Sequence, residues 1–171
     1  MTRLLAALIA LALLAGCNRV SQQLDAAEDV RAFLVAVRAG DRAGFDRHVD
    51  RAALKADIQR QAGVRAAAGD PAAALIQTEH GGRLLDTLIG PETFQYALRS
   101  VPVLADRTPT APELAAVLRT LDENRVCLPE GGLEGPCAAT FARQGEVWRL
   151  VAISASGVQL QNLPFPPSAA G

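Results

Sequence analysis

The segment GDRAGFDRHVD, Gly40 to Asp50, gathers Asp41, Asp46, His48 and Asp50. An imidazole among carboxylates can serve as a general base or as a metal ligand. Helical spacing argues against both uses. On a helix, Asp46 and Asp50 share a face while His48 points away. Asp41 and Asp50 each stand just ahead of a helical run, where a carboxylate caps free N–H groups. The reading is therefore structural: two caps, with Asp46 and His48 on a solvated turn. The second histidine, His80, follows Glu79 and has no companion ligands. Ser154 and Ser156 lack a GxSxG setting, and neither a GxGxxG stretch nor a Gly-Lys phosphate loop occurs. The expectation is no catalytic residue, no metal, no cofactor and no enzyme.

The three cysteines carry more information. Cys127 and Cys137 flank the turn-rich loop PEGGLEGP. If the flanking segments pair as a hairpin, the two thiols face each other across its mouth, within disulfide reach. Zinc or dithiol redox chemistry fits poorly, because the spacing is not CxxC and no histidine flanks it. Cys17 has a different setting, in MTRLLAALIALALLAGC. Arg3 forms a short positive region, Leu4 to Leu14 is wholly apolar, and Ala15-Gly16 is small. This is the layout of an export signal, and its apolar run is shorter than the roughly 20 residues a membrane span needs. Leu14-Ala15-Gly16-Cys17 resembles the lipobox of bacterial lipoproteins. That resemblance implies cleavage before Cys17, lipid on its sulfur and acylation of its new amine. Two or more acyl chains anchor stably where one does not. Asn18, rather than Asp, follows the cysteine, which by analogy points to the outer membrane, facing the periplasm. Export also places Cys127 and Cys137 where disulfides form.

Composition narrows the partners. The net charge is −1, with acids and bases interspersed. No basic stripe suggests nucleic acid. Lys55 is the sole lysine, and Trp148, Tyr96 and five Phe are the only aromatics, so aliphatic side chains must build the core.

The boundaries read as signal peptide 1–16, tether 17–23, one domain 24–160 and a Pro-rich, disordered tail 161–171. Val30, Phe33, Leu34 and Val37 repeat at helical spacing from Leu24 to Ala39. Gly40 ends that helix, and Asp41 and Asp50 begin two more. Leu54, Ile58 and Gln61 share a stripe of the third. Asp70-Pro71 and Gly90-Pro91 start further helices. Gly81-Gly82 either breaks a helix or marks close packing. Val101 to Ala111 reads as a loop. Thr110 to Glu113 fits a capping box, leading a helix with Leu114, Val117, Leu118 and Leu121 on one face. Three strands follow: Asn124–Leu128, Cys137–Arg143 and Val147–Ser154. The third is apolar on both faces, suited to helices on one side and packing or a ligand on the other. Helices first and a meander after gives an α+β fold, with N-terminal helices packed on about three antiparallel strands.

Two segments together resemble a known family. DVRAFLVAVRAGDRAGFDRHVDRAALKADIQRQ, from Asp29 to Gln61, is similar to the opening of the uncharacterised proteobacterial domain of unknown function 2939. The matching places are Val37 to Asp41, Val49-Asp50 and Ala53-Leu54 to Gln61. TFARQGEVWRLVAIS is similar to its closing strands, at Phe141, Arg143, Gly145, Trp148 and Leu150. That family has no assigned activity, so the resemblance implies a fold and no site. This chain departs from it by its lipobox and its two hairpin cysteines. The layout also resembles cone-shaped domains of the nuclear-transport-factor-like kind, a fold-level analogy without functional content. On that analogy Phe141 and Trp148 are candidates to line a pocket or the core. The sequence thus points to a lipid-anchored, non-enzymatic envelope module, with the membrane and an envelope protein as its partners. The alternative is a periplasmic carrier of small apolar ligands.

Overall fold

The computed structural model describes residues 2–99, 107–130 and 133–154, and their side chains from residue 21 onward except 98 and 99. Most of the expected 101–111 loop, Gly131-Gly132 of PEGGLEGP, Ser156 and the 161–171 tail lie outside the described residues.

Helix α1 spans Thr2–Ala39. It is followed by α2 Arg42–Arg47, α3 Arg51–Ala67, α4 Pro71–Ile76, α5 Glu79–Leu88, α6 Pro91–Arg99 and α7 Ala111–Val117. Capping residues set these boundaries. Asp41 accepts from Gly44 N–H at 3.1 Å and Asp50 from Ala53 N–H at 3.0 Å. Asp70 accepts from both Ala72 and Ala73. At α7, Glu113 accepts from Thr110 N–H at 2.8 Å, completing the expected capping box. Gly81 marks close packing, not a break: a Cβ there would overlap the Leu75 carbonyl.

The strands are β1 Arg119–Asp122, β2 Arg125–Pro129, β3 Cys137–Gln144 and β4 Val147–Ile153. They form one antiparallel sheet in the order β1-β2-β3-β4. The α+β class is as expected, but the sheet has four strands. The helix carrying Leu114 and Val117 stops sooner than its apolar spacing suggests. Leu118 is already extended (ψ 133°), and Arg119, Thr120 and Asp122 pair with β2 around a register shift at Leu121. Leu121, expected on a helix face, lies on the edge strand and is exposed.

The core lies between α1 and the inner face of the sheet. Val30, Phe33, Leu34 and Val37 of α1 are buried against Val126, Phe141, Trp148 and Leu150. Phe33 is its hub, with ring centroids 5.7–5.8 Å from Phe45, Phe94 and Phe141. Those contacts join α2, α6 and β3 through one side chain of α1. Residues 17–23, expected as a tether, belong to α1. Gln22 and Gln23 already dock, donating to the Asp122 carbonyl and the Leu118 carbonyl at 2.9 Å each.

Cys127 and Cys137 form the expected disulfide, with Cα atoms 5.5 Å apart. They are not directly opposite. Cys127 pairs with Thr140 and Cys137 with Pro129, because the register shifts between Leu128 and Pro129. The irregularity brings a diagonal pair within reach. Removing the link by Cys127→Ser with Cys137→Ser reopens a short loop in the unfolded chain. The expected loss is about 2–3 kcal/mol in urea unfolding, with the fold retained. An unchanged midpoint would show that the loop is held without the bond.

Candidate functional site

Strand β4 is an edge strand, and an unpaired edge exposes N–H and C=O groups that invite another chain. Here the helices supply the missing partners. Trp148 N–H donates to Asp29 of α1 at 2.8 Å. Leu150 N–H donates to the His48 carbonyl at 2.8 Å, and Asp50 N–H donates to the Leu150 carbonyl at 3.0 Å. Ile153 N–H donates to Asp57 of α3 at 3.3 Å, and Gln61 donates to the Ile153 carbonyl at 2.7 Å.

This arrangement places the residues that invited a chemical reading. Asp46 is exposed and pairs with Arg51 at 2.7 Å. Asp50 caps α3 and also accepts from Gln144 at 2.6 Å. Those main-chain and amide hydrogen bonds hold its carboxyl below the usual range. His80 is exposed on α5. His48 is not on a solvated turn, as its sequence setting suggested. The short parallel bridge Val49↔Leu150 draws it against β4, leaving it only 7% exposed. Its Nδ1 lies 3.6 Å from Asp29 Oδ1 and makes no hydrogen bond. Burial pushes the imidazole pKa below its ordinary 6.5. The Asp29 charge and a hydrogen bond to the Trp148 main chain oppose that shift, while Arg47 and Arg149 reinforce it.

A shallow cavity of about 260 Å³ lies at the other end of the stitched edge. Asp57, Gln61, Thr140, Ala152 and Ser154 line it, beside Cys137. It falls short of the usual 300 Å³ floor for ligand sites. Its carboxylate is already occupied: Asp57 accepts from Arg60, from Gln61 at 2.7 Å and from Ile153. Phe141 and Trp148 line no part of it. Each is 1% exposed and belongs to the core, as the core half of their expected role has it. Among the described residues, no group of three or more His, Cys, Asp or Glu could hold a metal ion. No family model, curated protein or solved structure matches the chain.

Sequence reasoning missed Asp29, Asp57 and the docking glutamines. A signal for Asp57 existed. It sits inside the Leu54, Ile58 and Gln61 stripe, where a carboxylate on a buried face calls for a partner.

Two tests follow from this geometry. Asp57→Ala leaves the Ile153 N–H without its acceptor and should cost about 1–3 kcal/mol. Asp57→Asn keeps an acceptor oxygen and should cost less, so equal losses would remove the edge role. The second test concerns pH. The folded protein holds His48 neutral below 6.5, so the unfolded chain takes up the proton first as pH falls. Stability is full above about 6.5 and declines as pH drops from there toward the lowered folded value. His48→Gln should flatten urea midpoints across that window. An unchanged pH slope would show that His48 does not set it.

Proposed function

We propose that this protein is a lipid-anchored module of the bacterial cell envelope that acts by binding or scaffolding and not by catalysis. The observation that carries the reading is the fate of the three cysteines. Two of them form the Cys127–Cys137 disulfide, a bond that persists in oxidising compartments such as the periplasm. That leaves Cys17, directly after the apolar run and Ala15-Gly16, as the thiol for lipid. Its side chain lies outside the described ones. Among the described residues no helix is long and apolar enough to cross a membrane. Asn18 supports an outer-membrane address facing the periplasm.

The filled core supports a module over a carrier. The large apolar side chains that would grip a small apolar ligand pack on one another around Phe33. Asp57, the half-buried Asp29 and the main chain at His48 are engaged in holding β4, which supports the non-enzymatic reading. The likeness to domain of unknown function 2939 is a proposal of kinship and brings no activity.

The deciding experiment is the intact mass of protein extracted from membranes, before and after reduction with alkylation. The expected mass is that of Cys17–Gly171 plus acyl chains, with two thiols appearing only on reduction. A soluble product without acyl mass would overturn the anchor and bring the periplasmic carrier forward.

A further inference from the structure

Taken with the anchor at Cys17, on which this inference rests, the docking of α1 fixes how the domain meets the membrane. We propose that the β1 edge and the end of α7 lie against the lipid surface, and that the β4 edge with its Asp57 cavity faces away.

The leash is short. Gln22, the first described side chain to dock, is bound to the Asp122 carbonyl. Gln22 stands five positions after Cys17. As helix, the form this stretch takes in α1, it spans about 8 Å. Four strands spaced about 4.8 Å apart put β4 roughly 14 Å beyond β1, farther than that leash reaches.

The surface around the leash suits lipid. Gln22 and Gln23 bind the Asp122 and Leu118 carbonyls. The chain neighbours of these residues include Leu24, Val117 and Leu121, which are 42%, 40% and 41% exposed. Gln23, Leu118 and Asp122 on this side of the domain thus each have an exposed apolar side chain next to them in the sequence. The rim is acidic: Asp25 and Glu123 are exposed, and Asp122 pairs with Arg125 at 2.7 Å. Such a rim fits a zwitterionic headgroup layer and disfavours a strongly anionic one. The leash and these apolar side chains hold the domain, so the contact persists at high salt.

The test uses the full lipidated protein in zwitterionic phosphatidylethanolamine–phosphatidylcholine vesicles, with acylation verified by mass. Spin labels are placed at L121C, on β1, or at V64C, on α3, which packs against β4. A nickel-chelating lipid confined to the vesicle surface relaxes nearby labels. The expected result is stronger relaxation at position 121 than at 64. A flexible Gly/Ser spacer of about 20 residues inserted after Arg19, with a reach of roughly 25 Å, should abolish the difference. Equal relaxation at both positions in acylated protein would overturn the orientation and leave the anchor standing. Absence of the acyl mass would overturn both. Dipolar broadening at 121 in detergent would overturn the lipid contact in favour of a second copy.

Discussion

The outer edge of β4 is the constraint that the rest of the structure answers to. Its outward N–H groups at Trp148, Leu150 and Ile153 find acceptors on three separate parts of the helical layer. Two of the three acceptors are carboxylates, and hydrogen bonds to charged groups are the stronger kind, about 1.5–3 kcal/mol each. Meeting all three fixes α1, the α2–α3 turn and α3 relative to the sheet. The Phe33 cluster then fills the space this frame encloses. Leaving any acceptor out would bare a sheet edge to pairing with another chain.

The same constraint explains where the residues that look reactive are placed. Asp29, Asp57 and the main chain at His48 each have a polar edge group to satisfy. His48 is carried inward because its own carbonyl must reach Leu150. Its imidazole follows the backbone into a desolvated place beside Asp29, with Nδ1 unbonded. A histidine among carboxylates is thus the by-product of a one-residue parallel bridge.

Much of this fold was legible in the sequence. The caps at Asp41, Asp50 and Asp70, the Val30–Val37 stripe and the hairpin around PEGGLEGP are all set by neighbours within a few residues. What was not legible depends on distant partners. Asp29 meets Trp148 across 119 residues, and Asp57 meets Ile153 across 96. Strand β1 is the clearest miss. Leu114, Val117, Leu118 and Leu121 keep helical spacing, yet Arg119 onward is taken by β2 and by the glutamines of α1. Tertiary pairing there outweighs a weak local preference. Phe141 and Trp148 were legible as large and apolar. Whether they would face a pocket or one another depended on how completely α1 covers the sheet.

Arg119 shows how the two ends of the molecule are joined. It begins β1, whose carbonyls at Leu118 and Asp122 are gripped by Gln23 and Gln22 of α1. Its guanidinium reaches the other way, donating to the Leu133 and Gly135 carbonyls at 3.3 and 3.1 Å. It also lies 3.4 Å from the Cys137 sulfur and 3.8 Å from that of Cys127. Its planar fork addresses several acceptors at once, which a lysine ammonium on a flexible stem would do less well. The disulfide closes the loop covalently, and Arg119 seats that closed loop on the edge strand. The loop is therefore positioned from the same strand that α1 grips. One chain of contacts joins them: α1 glutamines, β1 main chain, Arg119, loop carbonyls. An unpaired short edge strand would be a weak place to seat that loop. Here it is gripped by α1 on one side, paired with β2 on the other, and tied to the loop by one side chain.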